Sequence, residues 1–378
     1  MSKSNRILVG TRKGAFLLTS DDSRKNWKVS DPIYLGHIIH HWVKDPKSDT
    51  MIIGAKTGHL GPTVYRSLDD GKTWGEASKP PAFKQVDTGD NLEGPEGPKP
   101  RSVDSVFWLT PGRKEQKGLW YAGTTPAGLF CSKDDGDTWQ SVDGFNENPM
   151  YAAWTVGGAT PGGIILHSIL LNPSDDSHMY IGISVGGIFE SVDNGASWSP
   201  LNKGVEIVFS PVEDPEWGHD PHCIVQSQVN PNILYHQNHC GIYKIERPEK
   251  VWSRIGDNMP KDIGDIGFPM VIHPRDPSCV WVFPMDGTEV WPRTSPGGKP
   301  AVYNSLDSGK SWIRQDKGLP PSNAYFTVKR QAMDCDTNDD VGLYFGTSQG
   351  EVWASIDSGA SWNCIVKHLP EIYSIKVG

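Results

Sequence analysis

The sequence predicts an all-β protein, a seven-bladed β-propeller of four-stranded antiparallel blades whose ring is closed by the C-terminal strand joining the N-terminal blade. Three observations carry that expectation. An octapeptide, Ser-x-Asp-x-Gly-x-x-Trp, recurs along the chain. A strand–turn–strand frame precedes each copy. The first unit lacks its opening strand, and the last stretch of chain has one to spare.

The octapeptide is complete in SLDDGKTW from Ser67, SKDDGDTW from Ser132, SVDNGASW from Ser191, SLDSGKSW from Ser305 and SIDSGASW from Ser355. A sixth copy, SDDSRKNW, keeps Ser20, Asp22 and Trp27 but has Arg24 in place of Gly, and a seventh, IERPEKVW, keeps only Trp252. The closing tryptophans are separated by 47, 65, 59, 54, 60 and 50 residues, the length of a four-stranded blade with generous loops. Ser and Asp side chains can bond to nearby backbone and hold a hairpin tip closed, and Gly supplies the positive φ of a tight turn. The Trp then enters the next strand as a large apolar body to pack between neighbouring sheets.

These octapeptides resemble the Asp-box, or BNR, repeats of sialidases, sortilin-type receptors, xyloglucan-cleaving glycosidases and the photosystem II assembly factor. The resemblance spans the chain and implies the propeller fold. It does not choose among functions, because these relatives share almost no chemistry. The sialidase Arg-Ile-Pro element is absent, and RILVGTRKG stands in its place. No sialidase catalytic residue is therefore carried over. Asp69, Asp134, Asp193, Asp307 and Asp357 belong to the repeats and are read as structural.

The frame is fullest in ILHSILLNPSDDSHMYIGISVGGIFE: an apolar strand, a Pro or Asp turn, a second strand and a Gly turn. The first unit starts at RILVGTRKG, already a second strand, and EIYSIKVG at the C-terminus supplies the missing one. One domain, residues 1–378, follows, with blade one from 6–28 plus 370–378. The other six blades fall at about 36–80, 101–145, 164–203, 220–257, 266–317 and 325–368.

Composition narrows the function. With 36 basic and 45 acidic residues the net charge is −9, which argues against a nucleic-acid or anionic-membrane partner. No apolar run is long enough to span a bilayer, and MSKSNRILVG enters a strand without a signal-peptide stretch. Six scattered cysteines without a CxxC read as reduced thiols, so a cytoplasmic location is expected.

In an antiparallel blade the between-blade connections and the second turn share one face, and the octapeptide turns lie on the other. The long segments, Pro80 to Pro100, Asn146 to Gly163, Gly204 to Pro221 and Pro284 to Pro300, all fall on the first face, so the site is sought there. His40 and His167 share a frame position, six residues before Pro46 and Pro173, and His222 and His239 meet at the top of one blade. These four histidines are the candidate ligands of one divalent transition metal, and Asp104, Asp220 and His222 the candidate catalytic groups. Histidines satisfying hydrogen bonds in a polar channel are the alternative. Arg12, Lys56, Arg101, Arg330 and Asp286 are candidates for binding a small anionic or glycan-like ligand. No nucleotide cofactor is expected. The functional expectation is a hydrolase or lyase, with a non-catalytic protein-binding or assembly scaffold as the alternative.

Overall fold

The computed structural model describes residues 5–84, 101–155, 163–208, 210, 212–287 and 293–378. Its strands form seven four-stranded antiparallel sheets, six of them blades built in chain order from inner to outer strand. Blade two shows the pattern with Ile38–Lys44, Met51–Thr57, Gly61–Ser67 and Gly75–Glu76. The inner strands of blades three to seven are Ser105–Pro111, Leu166–Leu171, Pro221–Gln226, Gly267–Ile272 and Met333–Cys335. Ile372–Val377 is the inner strand of blade one. It pairs with Asn5–Thr11, and the Arg12 N–H donates to Glu371 O at 2.8 Å. The ring is thus closed by the two ends of the chain, as the unmatched first and last strands foretold. The outer strands are only two to four residues long, which leaves little edge for stray pairing.

Each complete octapeptide closes its turn with the same Ser and Asp bonds, and in three of the five the Trp indole adds a bond to the turn Gly. In SVDNGASW, Ser191 Oγ donates to Asp193 Oδ1 at 2.8 Å and accepts the Gly195 N–H at 2.8 Å. Asp193 in turn accepts the Ser197 N–H and hydroxyl, and the Trp198 indole N–H donates to Gly195 O. Gly195 has φ +86°, and the residue before it, Asn194, has φ +56°. In the degenerate first copy Arg24 itself takes φ +54°, and Asp21 rather than Asp22 accepts the turn N–H. The Trp27 indole still donates to Arg24 O, but Ser20 Oγ is left without a partner among the described residues, and the Arg24 guanidinium pairs with Asp336 of blade seven at 2.9 Å.

The core lies between blades rather than inside one. Trp139 of blade three packs with Val43, Ile52 and Val64 of blade two, and Trp198 of blade four with Tyr121 and Leu129 of blade three. Close approach is built into the second strands: a Cβ on Gly123 would meet Leu166 O of the next blade at 2.4 Å. Because both faces of a second strand are covered, Trp120–Thr125 is buried along its whole length. Between blades three and four the chain forms two helical turns, Asp143–Asn146 and Tyr151–Trp154. No helix among the described residues is long and apolar enough to cross a membrane, and all six cysteines are free thiols.

Candidate active site

Aligning the seven inner strands on their last ladder pair produces a ring of equivalent positions, four residues before that pair. They are His40, Phe107, His167 and His222 in blades two to five, then Phe268, Gln331 and Tyr373 in blades six, seven and one. In five blades the ladder skips this residue in a β-bulge: His40, Phe107, His222, Phe268 (with Pro269) and Tyr373. A bulge breaks the strict in–out alternation and re-aims one side chain. The bulged residues accordingly cluster: His40 stacks on Tyr373 with centroids 5.5 Å apart and lies 5.6 Å from Phe107, and the His222 ring lies 4.8 Å from Phe268.

Five members of this ring line a cavity of about 500 Å³ at one mouth of the central channel. His40, Phe107, Phe268, Gln331 and Tyr373 form its walls together with Tyr325, Lys329, Arg330 and Glu371. Its remaining lining comes from between-blade connections and second turns, including Thr294 and Ser348. Two blade-seven side chains bridge the channel. Gln331 donates to Phe107 O, and Arg330 donates to Ser184 Oγ of blade four at 2.7 Å. The Arg330 guanidinium also lies over the rings of Phe107 and Phe268, at 5.9 and 5.5 Å from their centroids. Among the described residues no carboxylate lies within ion-pair distance of Arg330, whereas Lys329 is paired with Glu371 at 2.7 Å and Lys56 with Asp104 at 2.6 Å.

The expected four-histidine metal cluster does not form. In blade four the bulge falls one residue late, at Ser168 with φ +56°, so the His167 side chain is not the one re-aimed. His167 Nε2 instead donates to Pro221 O at 2.7 Å and its Nδ1 meets Ser168 Oγ at 3.0 Å, so both ring nitrogens are committed. Burial first, then the Arg330 charge, holds this imidazole neutral. His40 stays in the cavity wall, its pKa drawn down to about 4 by burial and by the ammonium groups of Lys56 and Lys329. What does come together is Asp220, His222 and His239, with one potential ligand atom from each lying within 4.8 Å of the others. Asp220 Oδ2 is 3.4 Å from His222 Nε2 and 3.5 Å from His239 Nδ1, and Oδ1 accepts the Val185 N–H at 3.1 Å. Burial by itself would raise the Asp220 pKa, but His222, His239 and Arg330 outweigh it, and the carboxyl is ionised.

Of the expected anion-binding group, only Arg330 lines the cavity. Arg12 is exposed at its edge, 4.0 Å from Glu371. Lys56 and Asp104 neutralise each other in their pair. Arg101 is held away between the Phe83 and Tyr151 rings, with its donors on Asn146 O and Glu147, where it pins the helical turns. Asp286 Oδ2 accepts the Thr294 N–H and hydroxyl, which closes the blade-six loop. The aromatic wall and Glu371 escaped the sequence reading. Counting four residues back from the end of each inner strand would have found the wall in HHWVK, FWLTP, FPMVI and YSIKV.

Fold and site define a seven-bladed propeller with a polar, aromatic-walled pocket at the channel mouth. No family model matches the chain. In sequence it is similar to the oligoxyloglucan-reducing end-specific xyloglucanase of Emericella nidulans, with 24% identity over 233 residues, covering 54% of this chain and 26% of that one. It is also similar to the xyloglucanase of Hypocrea jecorina, with 24% identity over 280 residues, covering 66% and 31%. The chain thus spans under a third of the length of these relatives. Among solved structures, a GH74 xyloglucanase from Xanthomonas campestris superposes with a TM-score of 0.64 at 16% identity, over 96% of this chain and 52% of that one. YCF48 from Cyanidioschyzon merolae superposes with a TM-score of 0.54 at 13% identity, over 93% and 95%. At these identities the structural likeness establishes the propeller fold.

Proposed function

We propose that this chain is a carbohydrate-acting hydrolase whose site is the channel-mouth cavity and whose ligand is a sugar carrying a carboxylate or phosphate. The observation that carries the reading is Arg330: a guanidinium held between two aromatic rings, facing a cavity, with no carboxylate of the described residues within ion-pair distance. A guanidinium offers five donors in a planar fork that suits a carboxylate or phosphate, and Ser184 occupies only one of them. The rings of Phe107, Phe268 and Tyr373 offer apolar faces against which a sugar ring can pack, in a pocket of the size small ligands occupy. Glu371 lines the cavity, paired with Lys329, whereas Asp220 lies outside the lining, 3.4 Å from His222, whose ring is 4.8 Å from the cavity's Phe268. Glycoside hydrolysis uses a pair of carboxyl groups, and among the described residues Glu371 is the one that the cavity lining supplies. The sequence likeness to xyloglucanases supports a glycan ligand, and the acidic group is read from Arg330 alone.

The test is hydrolysis and binding of paired acidic and neutral saccharides, such as aryl glucuronides against aryl glucosides. The acidic member should bind more tightly, Arg330→Gln should erase that preference, and Glu371→Gln should abolish turnover while binding persists. Equal affinity for both members, or an Arg330→Gln variant with the parent's preference, overturns the reading. A second reading, a peptide-binding propeller, is favoured by the apolar side chains Leu35 and Leu60, which are 61% and 89% exposed on loops of the same face. It takes precedence if no saccharide binds.

A further inference from the structure

We infer that Asp220, His222 and His239 form a binding site for a single first-row transition metal ion, of the kind that accepts zinc, at the edge of the channel-mouth cavity. The inference rests on this geometry and not on the saccharide reading. His222 Nδ1 lies 2.6 Å from Gly267 O. A carbonyl oxygen only accepts, so the proton of a neutral His222 sits on Nδ1. Nε2 then presents its lone pair to Asp220 Oδ2 at 3.4 Å, and a lone pair facing an anionic oxygen is unfavourable unless something positive lies between them. A protonated imidazole meeting a carboxylate would close to about 2.7–2.9 Å.

A cation accounts for both of the distances that Asp220 makes. Two ligands bound at about 2.0–2.1 Å to a tetrahedral ion stand about 3.3–3.4 Å apart. Asp220 Oδ2 lies 3.4 and 3.5 Å from the two imidazole nitrogens. Val185 N–H occupies Oδ1, which orients the carboxylate with Oδ2 toward the histidines. The Gly267 carbonyl does for His222 what supporting acceptors do for metal-bound histidines in general: it fixes the tautomer and the ring.

Ring and chain position favour the same assignment. His222 is 2% exposed and carried on a rigid inner strand, and the His239 N–H donates to Asp220 O at 2.9 Å, tying the second-turn histidine to the strand entry. Three protein ligands leave a fourth position for water, the arrangement of hydrolytic zinc sites, and the bound ion would lower that water's pKa.

The test strips the full-length protein with a chelator, dialyses it, and titrates it with Co²⁺ and with Zn²⁺. About one equivalent should bind, and the Co²⁺ form should show the intense visible absorption of a four-coordinate site. His239→Gln, at the most exposed of the three ligands, should lose the bound metal on dialysis while keeping the parent's melting profile in chelator. His167→Gln and His40→Gln should keep it, which separates this triad from a cluster of the four histidines. Failure of the stripped protein to take up either ion overturns the inference. So does a folded His239→Gln that holds as much metal as the parent. Neither result depends on whether a saccharide is bound or cleaved.

Discussion

At the scale of single residues, Asp193 and Arg330 show how one side chain's partners decide its task. Asp193 spends both oxygens on its own turn, with Ser191, Ser197 and the Ser197 N–H. Asp193→Ala should lower stability by about 0.5–2 kcal/mol, the range of a lost local cap, and leave ligand affinity intact. Chemical denaturation of the two proteins side by side measures it, and lost affinity in a folded variant would place the functional face on the wrong side. The structural role of Asp193 was legible because the octapeptide recurs in five complete copies. Arg330 was legible only as a charge near the start of an inner strand. Its distinction from Lys56 and Arg101 lies in partners that come from distant stretches, Asp104 for Lys56 and Glu147 for Arg101, and no local pattern encodes those pairings.

The element scale is where sequence reading was strongest and where it slipped by one residue. The unmatched first and last strands announced the shared blade, and the structure pairs Ile7 with Val377 and Val9 with Ile375. Deleting residues 371–378 should uncover the edge of Asn5–Thr11 and the fully buried Ile372 and Ile375, giving aggregation or a large fall in melting temperature. A truncated protein that melts like the parent contradicts this account of ring closure. The slip concerns bulges. Frame counting put His40 and His167 at equivalent positions, and the ladder ends agree. But a side chain's direction depends on where the extra residue sits, and in blade four it sits at Ser168. A shift of one residue in a period of two turns the side chain away. Nothing in LHSILL against IHHWVK reveals it.

At the scale of the whole molecule, acid should act in two stages. The buried imidazoles of His40, His41, His167 and His236 have pKa values lowered chiefly by burial, His40 to about 4 from an ordinary 6.5. Between those values the unfolded chain binds more protons than the folded one, so stability falls as pH drops below about 6.5. The octapeptide carboxyls respond lower down. Asp69 and Asp307 are held near about 2 by their turn hydrogen bonds, against an ordinary 3.8. The stability they lend is complete above 3.8 and is lost as pH falls from there through 2. Melting temperature against pH should therefore begin to decline just below neutrality and steepen under pH 4. A flat profile from pH 7 to 4 would mean that the buried histidines are not neutral.

The central claim is that the ligand site is the channel mouth, organised by one bulged residue from most inner strands and by Arg330. The measurement that tests it most directly is a crystal structure of the protein soaked with an acidic saccharide, such as glucuronic acid. The account predicts the sugar ring in the cavity against Phe107, Phe268 or Tyr373, with its carboxylate on Arg330. A saccharide found on the face of the octapeptide turns, or along an outer blade edge with the channel mouth empty, would contradict it.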